Sequence, residues 1–199
     1  MSIRPARVGD LRFIKRMCDE YIGADYYTLE ELERAFRDAD QYFTVYANED
    51  DVPVAFIYMF TAELSEAAGV LKAPEGLLRQ FAAPDAGRVG IFKTTCTEKS
   101  CRRHGILFEL IQSCENTFRE LGIKTIFLNA LKLPSGKVPA ENGLGRAQFS
   151  GITELSHPWS DIESTCPYCG KQHCMCNAVL YYKEIDRYGR ENEKEPENQ

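Results

Sequence analysis

Two short stretches of this chain carry side chains whose types and spacing could do chemistry. The first runs from Thr94 to Leu110, TTCTEKSCRRHGILFEL. A β-branched run ending in Thr94 and Thr95 breaks at a polar turn. It then passes through Arg102-Arg103-His104-Gly105-Ile106-Leu107 and opens directly into an amphipathic helical pattern. A strand that ends in a basic, glycine-containing turn at a helix start can hold a phosphate. The first N–H groups of a helix lack intrahelical acceptors, and the helix dipole favours negative charge there. Gly105 would let the backbone come close to the anion. The competing reading is an ordinary strand–turn–helix corner with exposed arginines.

The second stretch is Cys166-Pro-Tyr-Cys169-Gly-Lys-Gln-His173-Cys174-Met-Cys176, which crowds four of the eight cysteines into eleven residues. A Cys-x-x-Cys-Gly turn aims two thiolates at one point, so this segment reads as a zinc knuckle. Cys174 with Cys176 completes a four-cysteine site. His173 with Cys176 gives a three-cysteine, one-histidine site, and His157 is an outside alternative. The expected occupant is structural zinc, on Cys166, Cys169, Cys174 and Cys176. The rivals are free thiols and a redox-active pair. A redox Cys-x-x-Cys belongs at a strand-to-helix start, whereas this one lies between two strand-like segments. Cys18, Cys96, Cys101 and Cys114 are scattered and read as small thiols.

The elements that must position these residues follow from hydrophobic periodicity. Residues 2–6 are extended. Asp10 caps a helix to Tyr21, and Thr28 with Glu31 forms a capping box for another. Residues 41–46 and 52–60 read as an antiparallel pair across an Asn48–Asp51 turn. Residues 61–88 are longer than a simple connection and call for a helix or lid, with a short helix at 74–83. A strand at 88–97 leads into the basic turn and a helix over 105–121, closed by Gly122. A nearly continuous apolar strand at 124–131 suggests parallel pairing in a strand–helix–strand unit. A short helix at 139–149 and strands at 151–159 and 177–185 follow, with the cysteine cluster between the last two. Residues 1–185 read as one domain carrying the knuckle at 166–176, and 186–199 as a charged, disordered tail.

Composition excludes some functions. The 199 residues are 44% apolar and 27% charged, ordinary for a globular chain with a real core. A net charge of −6 argues against nucleic acid as a partner. No apolar run is long enough to span a membrane, and the N-terminus lacks a signal peptide's apolar core. The expected location is the cytoplasm.

Arg102 and Gly105 match the (Arg/Gln)-x-x-Gly-x-(Gly/Ala) acyl-CoA signature of the GNAT acyltransferase superfamily; Leu107 stands where that family has Gly or Ala. The order β–α–α–β–β–(insert)–β–α–β–α–β–β is similar to the family's over nearly the whole chain. Asn142 to Phe149 resembles its Asn-x-x-Ala-x-x-x-Tyr helix, with Gly145 for Ala and Phe149 for Tyr. The resemblance implies an α/β (α+β) fold: a mixed, mostly antiparallel twisted sheet flanked by helices, ending in a β-hairpin that bears the knuckle.

It also implies acetyl-CoA as cosubstrate and direct transfer to an amine, either a small molecule or a peptide, with a homodimer left open. The backbone of Thr94, Thr95, Cys96 and Thr97 would pair with the pantetheine arm. Arg102, Arg103, His104, Gly105, Ile106 and Leu107 would hold the pyrophosphate, and Asn142 would join the cofactor site. Phe149 cannot donate the proton that the family's tyrosine gives to the departing thiolate. The fourth strand has no central carboxylate at Gly90-Ile91-Phe92, so Glu63 and Glu98 are the substitute bases. Tyr58, Tyr181 and Tyr182 are candidate acids, with Tyr182 taken as the catalytic choice. Cys96 as an acyl-carrying nucleophile is a minor alternative. A non-catalytic acyl-CoA sensor on the same fold, and a knuckle that docks a partner, are the rival functions.

Overall fold

A computed structural model describes residues 1–185 of the chain; the expectation of a disordered tail at 186–199 lies outside the described residues. Seven strands form one sheet in the order β1-β2-β3-β4-β5-β7-β6. They are β1 (Ser2–Pro5), β2 (Gln41–Ala47), β3 (Pro53–Ala62), β4 (Val89–Thr97), β5 (Thr125–Lys132), β6 (Ser150–Leu155) and β7 (Asn177–Glu184). All neighbours pair antiparallel except β4 and β5, which are parallel. The α5 helix (Ile106–Glu120) makes the crossover between them. The expected mixed sheet, its parallel pair and the C-terminal hairpin carrying the cysteines are all present.

Alternation along β3 divides the core. Phe56, Tyr58 and Phe60 face one side, while Ile57 and Met59 face the other. The first side is covered by α1 (Leu11–Tyr21), α2 (Leu29–Arg37), α3 (Leu64–Leu71) and α4 (Glu75–Phe81). The second is covered by α5 and α6 (Glu141–Arg146). Helix α2 starts as its sequence asks: the Thr28 hydroxyl accepts from the Glu31 N–H, and the Glu31 carboxylate accepts from the Thr28 N–H. The uncertain insert at 61–88 resolves into two short helices, α3 and α4, that close one end of the sheet. No described helix is long and apolar enough to cross a membrane.

Candidate functional site

Two irregularities in β4 create the site. Tyr58 pairs with Thr94 and Met59 with Phe92, so Lys93 is the extra residue of a bulge. The bulge puts Lys93 and Thr94 on the same face, both against Tyr27: the Tyr27 hydroxyl lies 2.8 Å from Thr94 Oγ1, and Lys93 Nζ lies 5.7 Å from the Tyr27 ring. On the other edge, pairing with β5 stops at Phe92–Leu128. Beyond that point the strands part around a cavity of about 240 Å³. It is lined by Phe92 to Thr95 and Leu128 to Leu131, with Leu107 and Leu144 at one end and Tyr168 and Cys174 at the other.

The α5 N-terminus closes one side of this cavity. Arg103 and Gly105 both have left-handed backbone, at φ 67° and 83°, which folds the turn tightly. The N–H groups of Gly105 to Phe108 start the helix and have no acceptor within it. Arg102 stacks on Tyr21 at 4.4 Å and donates through Nε to the Thr97 carbonyl at 2.9 Å, so its guanidinium is held rather than loose. His104 Nδ1 lies 3.2 Å from the Cys101 carbonyl oxygen. Arg146 stacks on Phe108 at 4.1 Å, and a Cβ on Gly105 would lie 3.4 Å from its Nη1. No spacing signal marks this second cation, because it comes from α6, about forty residues further along the chain.

Leu107, the departure from the signature, has a physical account. A Cβ on Gly143 would fall 2.7 Å from Leu107 Cδ2. The bulk that α5 gains at Leu107 fits because α6 is empty at Gly143. Asn142 is exposed on the outer side of α6 and lines neither cavity, and Ala140 takes the N-cap position. Phe149 is buried against Phe92 at 5.8 Å.

A second cavity of about 470 Å³ adjoins the first through Lys93 and Asn129. Tyr26, Tyr27 and Glu31 line it from the α1–α2 side, Leu71 and Lys72 from α3, and Trp159 and Asp161 from the segment after β6. Lys93 Nζ sits 5.7, 5.7 and 5.9 Å from the rings of Tyr27, Tyr58 and Phe60. Lys93 is open to the cleft, yet desolvation by the surrounding rings and backbone pushes its pKa down, against the pull of Glu31. Asn129 donates through Nδ2 to the Leu71 carbonyl at 2.7 Å, while its buried Oδ1 has no partner among the described residues. Neither residue was a sequence candidate; a lone lysine and a lone asparagine in apolar strands carry no spacing signal.

The sequence-derived acid–base candidates lie elsewhere. Glu63 is exposed at the N-cap of α3. Glu98 is paired with Arg16. Tyr182 packs on Phe81 at 4.8 Å on the α4 side, and Tyr181 is buried on the α5 side. None of the four lines either cavity. Strand alternation and the end of β3 carry them away from the splay. Tyr58 is part of the ring cage under Lys93, its phenol pushed up by burial. The Cys96 thiol points into the core beside Cys18, and burial pushes it up to about 12, so it is a poor nucleophile.

In the knuckle the four Sγ atoms of Cys166, Cys169, Cys174 and Cys176 lie within 4.8 Å of one another, and His173 and His157 are outside this group. The spacing suits tetrahedral sulfur ligands about 2.3 Å from a central ion. Gly170, at φ 67°, makes the turn, and its N–H donates to the Cys166 carbonyl at 2.9 Å. Burial opposes ionisation of Cys169, but backbone N–H groups of Met175 and Lys171 and the neighbouring thiols bring it down to about 7. The knuckle is tied across the cleft on both sides. Ser164 Oγ donates to the Ala24 carbonyl at 3.0 Å, and Lys72 pairs with Asp161 at 2.7 Å.

The profile of the acetyltransferase (GNAT) family matches residues 10–134. Against curated proteins the chain finds no match. Among solved structures it is similar to Arabidopsis thaliana NAA60 in complex with acetyl-CoA, with a TM-score of 0.69, 13% identity, and coverage of 92% of this chain and 98% of that one. A Sinorhizobium meliloti phosphinothricin acetyltransferase in complex with acetyl-CoA gives a TM-score of 0.59 at 14% identity, covering 92% and 88%. The Escherichia coli ribosomal-protein-S18-alanine N-acetyltransferase gives 0.62 at 10% identity, covering 95% and 96%. At such identities the likeness is one of fold.

Proposed function

The chain belongs to the GNAT acetyltransferase family, and on that premise we propose that it moves an acetyl group from acetyl-CoA directly to an amine acceptor. One observation carries the reading. The parallel β4–β5 pair parts after Phe92 and Leu128, and the cavity so formed runs up to the α5 N-terminus at Leu107. The residues present fit acetyl-CoA: a narrow apolar channel for the pantetheine arm, then free helix N–H groups with Arg102 and Arg146 near the turn for the pyrophosphate. When bound, acetyl-CoA supplies an activated acetyl thioester. The β4 backbone at Thr94 to Thr97, released from β5, would align the arm, and Arg102 to Leu107 would hold the phosphates. Thr94 and Thr95 act through backbone, since their hydroxyls are occupied by Tyr27 and by the Phe56 carbonyl. Asn142 has no part in this reading.

The acceptor would enter the adjoining cavity beside Lys93, Asn129 and Trp159. Structures similar in fold include the NatC complex bound to Gag peptide and CoA and an agmatine N-acetyltransferase, so the proposal spans peptide and small-amine acceptors. The four cysteines fit a structural zinc that would anchor the segment carrying Trp159, Asp161 and Ile162, which line this cavity. The test is CoA release from acetyl-CoA over a panel of peptide N-termini, free amino acids and polyamines. Turnover with any of them supports the reading. Binding of acetyl-CoA without turnover would favour the non-catalytic sensor.

A further inference from the structure

We infer that Lys93 is the general base of the transfer, taking the proton from the attacking nitrogen of the acceptor, with Asn129 orienting that nitrogen. The inference rests on the acetyltransferase reading above.

Its grounds are geometric. The β4 bulge sets Lys93 at the point where β4 and β5 part, and its amine lines both cavities. Three rings surround it, and no described residue forms a hydrogen bond or ion pair with it. The carboxylates that could neutralise it are committed: Glu31 to the Thr28 N–H and hydroxyl, and Asp161 to Lys72. Of the other titratable groups around the cleft, Tyr26, Tyr27, Tyr58 and Tyr168 are held protonated by burial, Tyr21 by its contact with Glu20, and Cys166 and Cys174 belong to the four-cysteine cluster. The lysine opens to solvent on the cleft side, and at nearly 6 Å the rings are at the limit of cation–π attraction, so the partly desolvated amine gains little from them in its charged form. The second group in the same cleft is Asn129, whose Oδ1 lacks a partner among the described residues and would accept a hydrogen bond from the acceptor nitrogen once the amide turns toward the cavity.

The step balances without a further reactant. The acceptor nitrogen–carbon bond forms and the carbon–sulfur bond breaks. The nitrogen's proton passes to Lys93 Nζ and then to the departing sulfur, which returns Lys93 to the neutral form. This also supplies the thiolate with a proton in a chain where Phe149 cannot.

The first test needs no acceptor. In the full chain labelled with isotopic lysine and assigned with Lys93→Arg, the Lys93 amine should titrate below the ordinary value of about 10.4. Titration at or above that value would overturn the inference. The second test compares Lys93→Arg and Lys93→Met with an amine from the panel. Both should lose roughly 10²–10⁴-fold in kcat while keeping the acetyl-CoA-induced rise in Tm. Arginine keeps the charge but cannot accept a proton, so near-normal kcat in Lys93→Arg would reduce Lys93 to an anion-binding cation. A wild-type chain that binds acetyl-CoA and acetylates nothing removes the transferase reading itself, and the base with it.

Discussion

Leu107 and Gly143 show how one departure from a family pattern is absorbed by another residue. The signature has a small residue at the first of these positions; here Leu107 stands there and Gly143 makes the room for it. Gly143→Ala should push the Leu107 side chain into the cavity it lines. Overpacking typically costs 1–3 kcal/mol, so acetyl-CoA affinity should fall by roughly tenfold. Titration calorimetry on the variant checks this, and an unchanged Kd would mean that Leu107 turns aside freely. Asp10 is a second residue with a definite consequence. Burial opposes its ionisation, but the Arg4 guanidinium at 2.7 Å and the Arg7 N–H hold its carboxyl below the usual range. A depressed carboxylate stabilises the fold above its unfolded pKa of about 3.9, and that stabilisation is lost as pH falls through the folded value. Asp10→Asn should therefore lower Tm at pH 7, with the difference from wild type vanishing toward pH 2. A gap that persists at pH 2 would mean the ion pair is not its source.

At the scale of elements, the knuckle is the piece whose role is easiest to remove. The segment leading into it, with Trp159 and Asp161 on the acceptor cavity, is tied to Ala24 through Ser164 and to Lys72 through Asp161. One zinc per chain is expected by elemental analysis, and Cys169→Ser should abolish it. Chelation should raise the KM for the acceptor several-fold. Unchanged kinetics in metal-free protein would confine the cluster to a role outside the site. Most elements could be read from the chain because their signals are local: the Thr28–Glu31 box, the Gly105 turn, the apolar run of Thr125–Lys132 and the Cys-x-x-Cys-Gly turn. What could not be read depends on pairing across the sheet. Lys93 matters because Tyr58 and Met59 skip it, and Asn129 because its β-strand neighbour has parted. Glu63, Glu98 and Tyr182 were attractive as residue types, but register and helix capping turn them away from the cleft.

At the scale of the molecule, the sheet places two cavities end to end through a single opening between β4 and β5. One leads to a helix N-terminus suited to phosphate, the other to a lysine and to an asparagine whose Oδ1 has no partner among the described residues. That division, cosubstrate on one side and amine on the other, is the central claim. It is tested most directly by the thermal stability of the chain with and without acetyl-CoA. A ligand at about 100 times its Kd adds roughly 2.7 kcal/mol, which in a domain of this size raises Tm by roughly 5–10 °C. The account predicts a rise of that order, reduced in Arg102→Ala and retained in Lys93→Met. No rise at millimolar acetyl-CoA would contradict it and leave the opening between β4 and β5 without its proposed occupant.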